Sequence, residues 1–166
     1  MPHPDHSPLD RSAALSGLVR AGLLTGVSDG LFATVSAVLF GSTVTRLWQS
    51  VSSTLLGPAA FERGTESALI GVLMHFGVAF GWSAVFLGLL ALWPRLRALL
   101  ASPSGAVKVG AVYGPFIWLV MSLVVIPLLV QRPPTITNRW WIQLIGHFPF
   151  VGLPIAWSFA RSLRTR

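Results

Sequence analysis

The chain has 166 residues, 53% hydrophobic and only 10% charged, with a mean hydropathy of +0.70; a soluble domain carries about 25% charged residues, so lipid must form part of its solvent. The net charge of +7 would suit nucleic acid, but Arg20, Arg46, Arg95, Arg97, Arg132, Arg139, Arg161, Arg164 and Arg166 stand at the ends of apolar runs. That is the placement of topology signals and headgroup anchors, not of a phosphate-tracking stripe, and with no cysteine disulfides and thiolate chemistry are excluded as well.

The N-terminal MPHPDHSPLDRSAALSG is polar and Pro-rich, unlike the basic leader of a signal peptide, and the apolar run behind it is too long for a signal core. Residues 1–20 read as a polar cytoplasmic tail. His3, Asp5 and His6 carry metal-ligating atoms, but in such a tail they read as solvated. Four apolar runs follow: 21–45, 67–93, 109–130 and 140–160. Each reaches the ~20 residues a helix needs to cross ~30 Å of hydrocarbon. In lipid the backbone must satisfy itself, so they are expected to be helices. The fold class is all-α: an integral membrane four-helix bundle forming one domain over residues 21–160, with 161–166 a basic tail.

In the first run, Gly22, Gly26 and Gly30 form a GxxxGxxxG row, which predicts close approach of a second backbone. Asp29 shares a face with Thr25, Ala33 and Ser36, small or hydroxyl-bearing residues, so it is expected to point into the bundle. A charged carboxylate at a helix centre costs about 2.5–3.5 kcal/mol. A neutral acid bonded to Thr25, a backbone carbonyl or a histidine avoids most of that cost.

Between the first two runs, VTRLWQSVSSTLLGP places Val44, Trp48, Val51 and Leu55 at helical spacing, opposite Gln49, Ser50 and Ser53. This predicts a short amphipathic helix lying in the outer interface, ended by Gly57-Pro58. Thr65 offers an N-cap and Glu66 a first-turn carboxylate to the second run. Glu62 and Glu66 read as solvated.

His75 lies between Gly71 and Ala79 on the small-residue face of the second run, and His147 has Gln143 one turn earlier, able to hold its imidazole. Counted from the outer ends at 1.5 Å per residue, His75 is ~12 Å deep, His147 ~10 Å, and Asp29 ~6 Å deeper. These side chains can converge, whereas Tyr113 is too near the inner end. Gly110 and Gly114 open the third run with another small-residue row. Trp48, Trp93, Trp140, Trp141 and Trp157 fall near run ends, as in an interfacial belt, while Trp82 and Trp118 fall mid-span and need packing partners.

With four spans, the side holding both tails and the 94–108 loop carries Arg11, Arg20, Arg95, Arg97, Lys108, Arg161, Arg164 and Arg166; the other carries Arg46, Arg63, Arg132 and Arg139. The bias places both termini in the cytoplasm. The segments 69–86 and 144–160 share Leu-Ile-Gly, His-Phe and Trp-Ser in order, which suggests two parallel helix-pair repeats.

RLWQSVSSTLLG, ESALIGVLMHFGVAF and the Pro-containing third and fourth spans resemble those of small, uncharacterised bacterial inner-membrane proteins of the YagU-like kind. The resemblance covers most of residues 20–160 and implies a bacterial inner-membrane location, without known chemistry or catalytic residues. No paired carboxylates, HExxH motif or nucleophile–His spacing appears. The sequence therefore reads as a non-enzymatic membrane protein, an accessory subunit or small binding module with a polar pocket at Asp29, His75, His147, Gln143 and Thr25. The lipid bilayer is its expected partner, with a membrane-protein partner or second copy; nucleic acid is not. Two alternatives remain open at this point: a b-type cytochrome with His75 and His147 ligating haem, and a small proton-coupled carrier using Asp29.

Overall fold

A computed structural model describes residues 11–164; His3, Asp5 and His6 lie outside the described residues. The described residues are all-α, and among them four helices are long and apolar enough to cross a membrane: Arg11–Leu39, Gly64–Leu92, Pro103–Val130 and Asn138–Arg164. The first, α1 (Arg11–Leu39), starts ten residues before the apolar run does, because Ala13, Ala14, Leu15 and Leu18 are good helix formers and no Pro interrupts them, Gly17 being carried inside the helix. Gly41, at φ 77°, turns the chain out of it.

Thr43 then caps α2 (Val44–Leu56), its Oγ1 accepting from the Arg46 amide at 3.1 Å. The short helix is where the sequence places it, but only part of its polar side is turned to water: Ser50 is exposed and Ser53 half-buried. Gln49 is buried, its Nε2 donating to the Gly64 carbonyl at 3.0 Å, and Ser52 is buried beside it. Periodicity locates a polar face without saying what satisfies it. A 3₁₀ turn (Gly57–Phe61) leads to α3 (Gly64–Leu92). Its cap position is Arg63, without a side-chain cap, so Thr65 is inside the first turn rather than capping it, next to Glu66. The first turn is held instead by Ser67, whose Oγ donates to the Ala60 carbonyl at 2.5 Å.

The 94–108 connection folds into a short helix, α4 (Pro94–Leu100), which tucks Leu96 and Leu100 under the bundle. The third span is α5 (Pro103–Val120), a π turn (Met121–Val125) and α6 (Ile126–Val130). The fourth is α7 (Asn138–His147), a π turn (Phe148–Gly152) and α8 (Leu153–Arg164). Proline accounts for both breaks. Pro127 and Pro154 have no N–H to return to the preceding turn, and the ladder widens to five-residue bonds just before each, Ile126 to Met121 and Leu153 to Phe148. The Phe150 carbonyl that Pro154 cannot serve accepts instead from Ser28 Oγ of α1 at 2.6 Å.

α1 packs on α3 and on the fourth span, and the fourth span packs on the third. The backbones of α3 and α5 stay apart and meet through Trp82 and Phe86 against Tyr113 and Phe116. At the end near α4 this gap is filled by Phe86, Leu90, Ile155 and Phe159. At the other end it is not filled.

Glycine packing is redistributed relative to the sequence expectation. A side chain at Gly22 or Gly26 would meet the rings of Phe80 and Phe76, and Gly30 is 3.4 Å clear of His75 and Trp48. The α1 row therefore seats aromatic rings rather than a backbone. Backbone meets backbone elsewhere: Gly71 against the Trp48 carbonyl of α2, Gly114 against the His147 carbonyl, and Gly152 against the Gly110 carbonyl.

Candidate functional site

The unfilled end of the gap between α3 and α5 is a cavity of about 450 Å³, closed on one side by α1 and α7 and covered by α2. Its walls are mostly apolar: Leu47, Val51, Val78, Ile117, Met121 and Val151. Into it project Thr25, Asp29, His75, Gln143 and His147, along with the indoles of Trp82, Trp118 and Trp140. Ser50, Thr135 and Thr137, lining residues that are exposed, mark where it opens, between α2 and the segment before α7.

Each polar member is placed by its own element. His75 comes from the middle of α3, where its Nε2 lies 3.0 Å from the Gly26 carbonyl across the interface. A carbonyl only accepts, so Nε2 carries a hydrogen and Nδ1 is the nitrogen left for other work. Nδ1 faces Asp29 Oδ2 at 4.0 Å, too far for a direct hydrogen bond. Trp48 of α2 meets the imidazole edge-on at 5.3 Å and Phe76 at 5.9 Å, which fixes its plane.

His147 ends α7. Its Nδ1 donates to the Gln143 carbonyl at 2.7 Å, leaving Nε2 toward the cavity. Gln143 thus holds the imidazole through its backbone, not through its side chain as the spacing suggests. The Gln143 amide donates to Ser36 Oγ of α1 at 3.3 Å. Trp118 packs on the His147 ring at 4.8 Å and on Trp140 at 6.1 Å, and Trp140 Nε1 donates to Ser122.

Three residues lining this cavity each have a buried polar atom with no protein partner: Thr25 Oγ1, Asp29 Oδ1 and Trp118 Nε1. The Thr25–Asp29 bond that the i−4 spacing suggests is therefore not formed. Such atoms cost about 1–3 kcal/mol each when left unpaired, and here the three residues that carry them border one space. Sequence reasoning named all five polar residues. It treated Trp118 only as a mid-span residue in need of a partner, and it missed Arg139, Thr135, Thr137 and the α2 wall, because a mouth assembled from two loops leaves no periodic signal. Tyr113 stays outside the cavity, donating to the Trp82 carbonyl at 2.8 Å. No group of three or more His, Asp or Glu suited to a metal ion occurs among the described residues.

Comparison with protein-family models, with curated proteins and with solved structures finds no match to this chain.

Proposed function

We propose that the chain is a non-enzymatic integral membrane protein, a four-span bundle with both termini in the cytoplasm, that binds a small ligand in the cavity around Asp29, His75 and His147. The observation that carries the reading is an otherwise apolar cavity of about 450 Å³ bordered by Asp29, His75, His147, Gln143 and Thr25, among them two residues, Thr25 and Asp29, with a buried oxygen that has no protein partner. Ligand sites are concave, mostly apolar spaces with a few converging polar groups, and the ligand this one fits has an apolar body and a hydrogen-bonding head. Membrane residence is supported by exposed Leu23, Val27, Leu31 and Val35 on α1 and Leu69 and Leu73 on α3, an outer surface suited to lipid. The bacterial inner membrane is the location its YagU-like features imply.

A carrier coupled to protons is the second reading, favoured by the 4.0 Å approach of Asp29 to His75. The residues do not fit a bis-histidine haem. His75 has one ring nitrogen on the Gly26 carbonyl and the other facing Asp29, with Trp48 and Phe76 against its ring.

Native mass spectrometry of the protein released from its membranes tests the reading. A small-molecule adduct is expected on the parent chain and lost on Val51→Phe, which narrows the cavity from the α2 side. Identical spectra from the two would overturn it.

A further inference from the structure

The ligand class follows from which atoms are free and what surrounds them. We propose that the cavity takes a small monovalent organic cation with an apolar body, held at Asp29 among the indoles of Trp82, Trp118 and Trp140. The proposal rests on the binding reading above and names its ligand.

Among the described residues Asp29 is the only carboxylate lining the cavity, and its Oδ1 is buried without a protein partner. Indole faces attract a cation within about 6 Å of the ring centre, and three indoles line the same walls. A neutral ligand gains little from either feature, and an anion would meet the carboxylate. The groups able to alter charge around Asp29 are few. From α3 there is His75; from α7 there are His147 and, at the mouth, Arg139, eight residues and about 12 Å along the helix from His147. The α2 arginine, Arg46, stacks on Phe61 at 4.9 Å instead. The third span brings Ile117, Trp118, Met121 and Ile126 to the cavity but no ionisable side chain.

Calorimetry on the full chain in lipid nanodiscs at pH 7 tests this, with benzylammonium as the probe and benzyl alcohol as its uncharged counterpart. The cation is expected to bind more tightly than the alcohol. Asp29→Asn should weaken the cation by about tenfold or more and leave the alcohol unaffected. The comparison of the two probes on the parent chain decides the matter even if that variant does not fold. Equal affinity for the two probes overturns the cation proposal while leaving the pocket intact. If binding of neither probe responds to Val51→Phe, the pocket reading itself fails.

Discussion

Replacing Gly114 by alanine should destabilise the protein, although the same change at Gly77 should stabilise it. Both glycines lie inside long helices, and both changes gain about 1 kcal/mol of helix propensity. The surroundings differ. A methyl at Gly77 meets nothing within 4 Å, whereas at Gly114 it overlaps the His147 carbonyl oxygen and comes within 2.9 Å of the Gly152 amide nitrogen. Those are backbone atoms that cannot rotate aside, so α5 must move away from the α7–α8 junction. Overpacking of this kind costs about 1–3 kcal/mol, enough to cancel or reverse the propensity gain. Gly26→Ala is the intermediate case, because the atom in its way, 2.5 Å off, belongs to the Phe76 ring, which can turn. Thermal unfolding in detergent, followed by loss of helicity, should rank the variants Gly77→Ala, parent, Gly26→Ala and Gly114→Ala from most to least stable. If Gly114→Ala were as stable as Gly77→Ala, the third and fourth spans would not be packed backbone to backbone.

Topology reporters fused after Ala59 and Arg132 should read as periplasmic, and one after Ser102 as cytoplasmic; the reverse pattern would invert the arginine argument. Gln49→Leu removes the bond from α2 to the Gly64 carbonyl and should cost about 1 kcal/mol. It should also speed amide exchange across Val44–Leu56, and unchanged exchange would mean that α2 is held by apolar contacts alone.

The spans and the inward face of Asp29 were legible because both are periodic properties of one helix. Thr25, Ala33 and Ser36 recur beside Asp29 whatever packs against them. His75 and His147 could be brought to similar depth by counting rise per residue. What packs on what was less legible. The α1 glycine row looks the same whether a backbone or a phenylalanine ring sits on it, and only the tertiary structure places Phe76 and Phe80 there. The π turns at Met121–Val125 and Phe148–Gly152 follow from Pro127 and Pro154, but the partner that takes up the freed Phe150 carbonyl, Ser28, is 122 residues away. The mouth of the cavity was least legible, since Ser50, Thr135 and Arg139 come from separate segments.

The most direct test of a pocket inside an otherwise lipid-facing bundle uses the absence of native cysteine. Ala33 lines the cavity one turn from Asp29, while Leu31, two residues away on the same helix, is 62% exposed on the outer apolar face. Single variants Ala33→Cys and Leu31→Cys, in intact membranes, would be treated from outside with a membrane-impermeant trimethylammonium methanethiosulfonate. The account predicts that Ala33→Cys is modified, that Val51→Phe slows the modification, and that Leu31→Cys is spared because lipid covers it. Modification of Leu31→Cys with Ala33→Cys untouched would place water on the outer face and contradict the account.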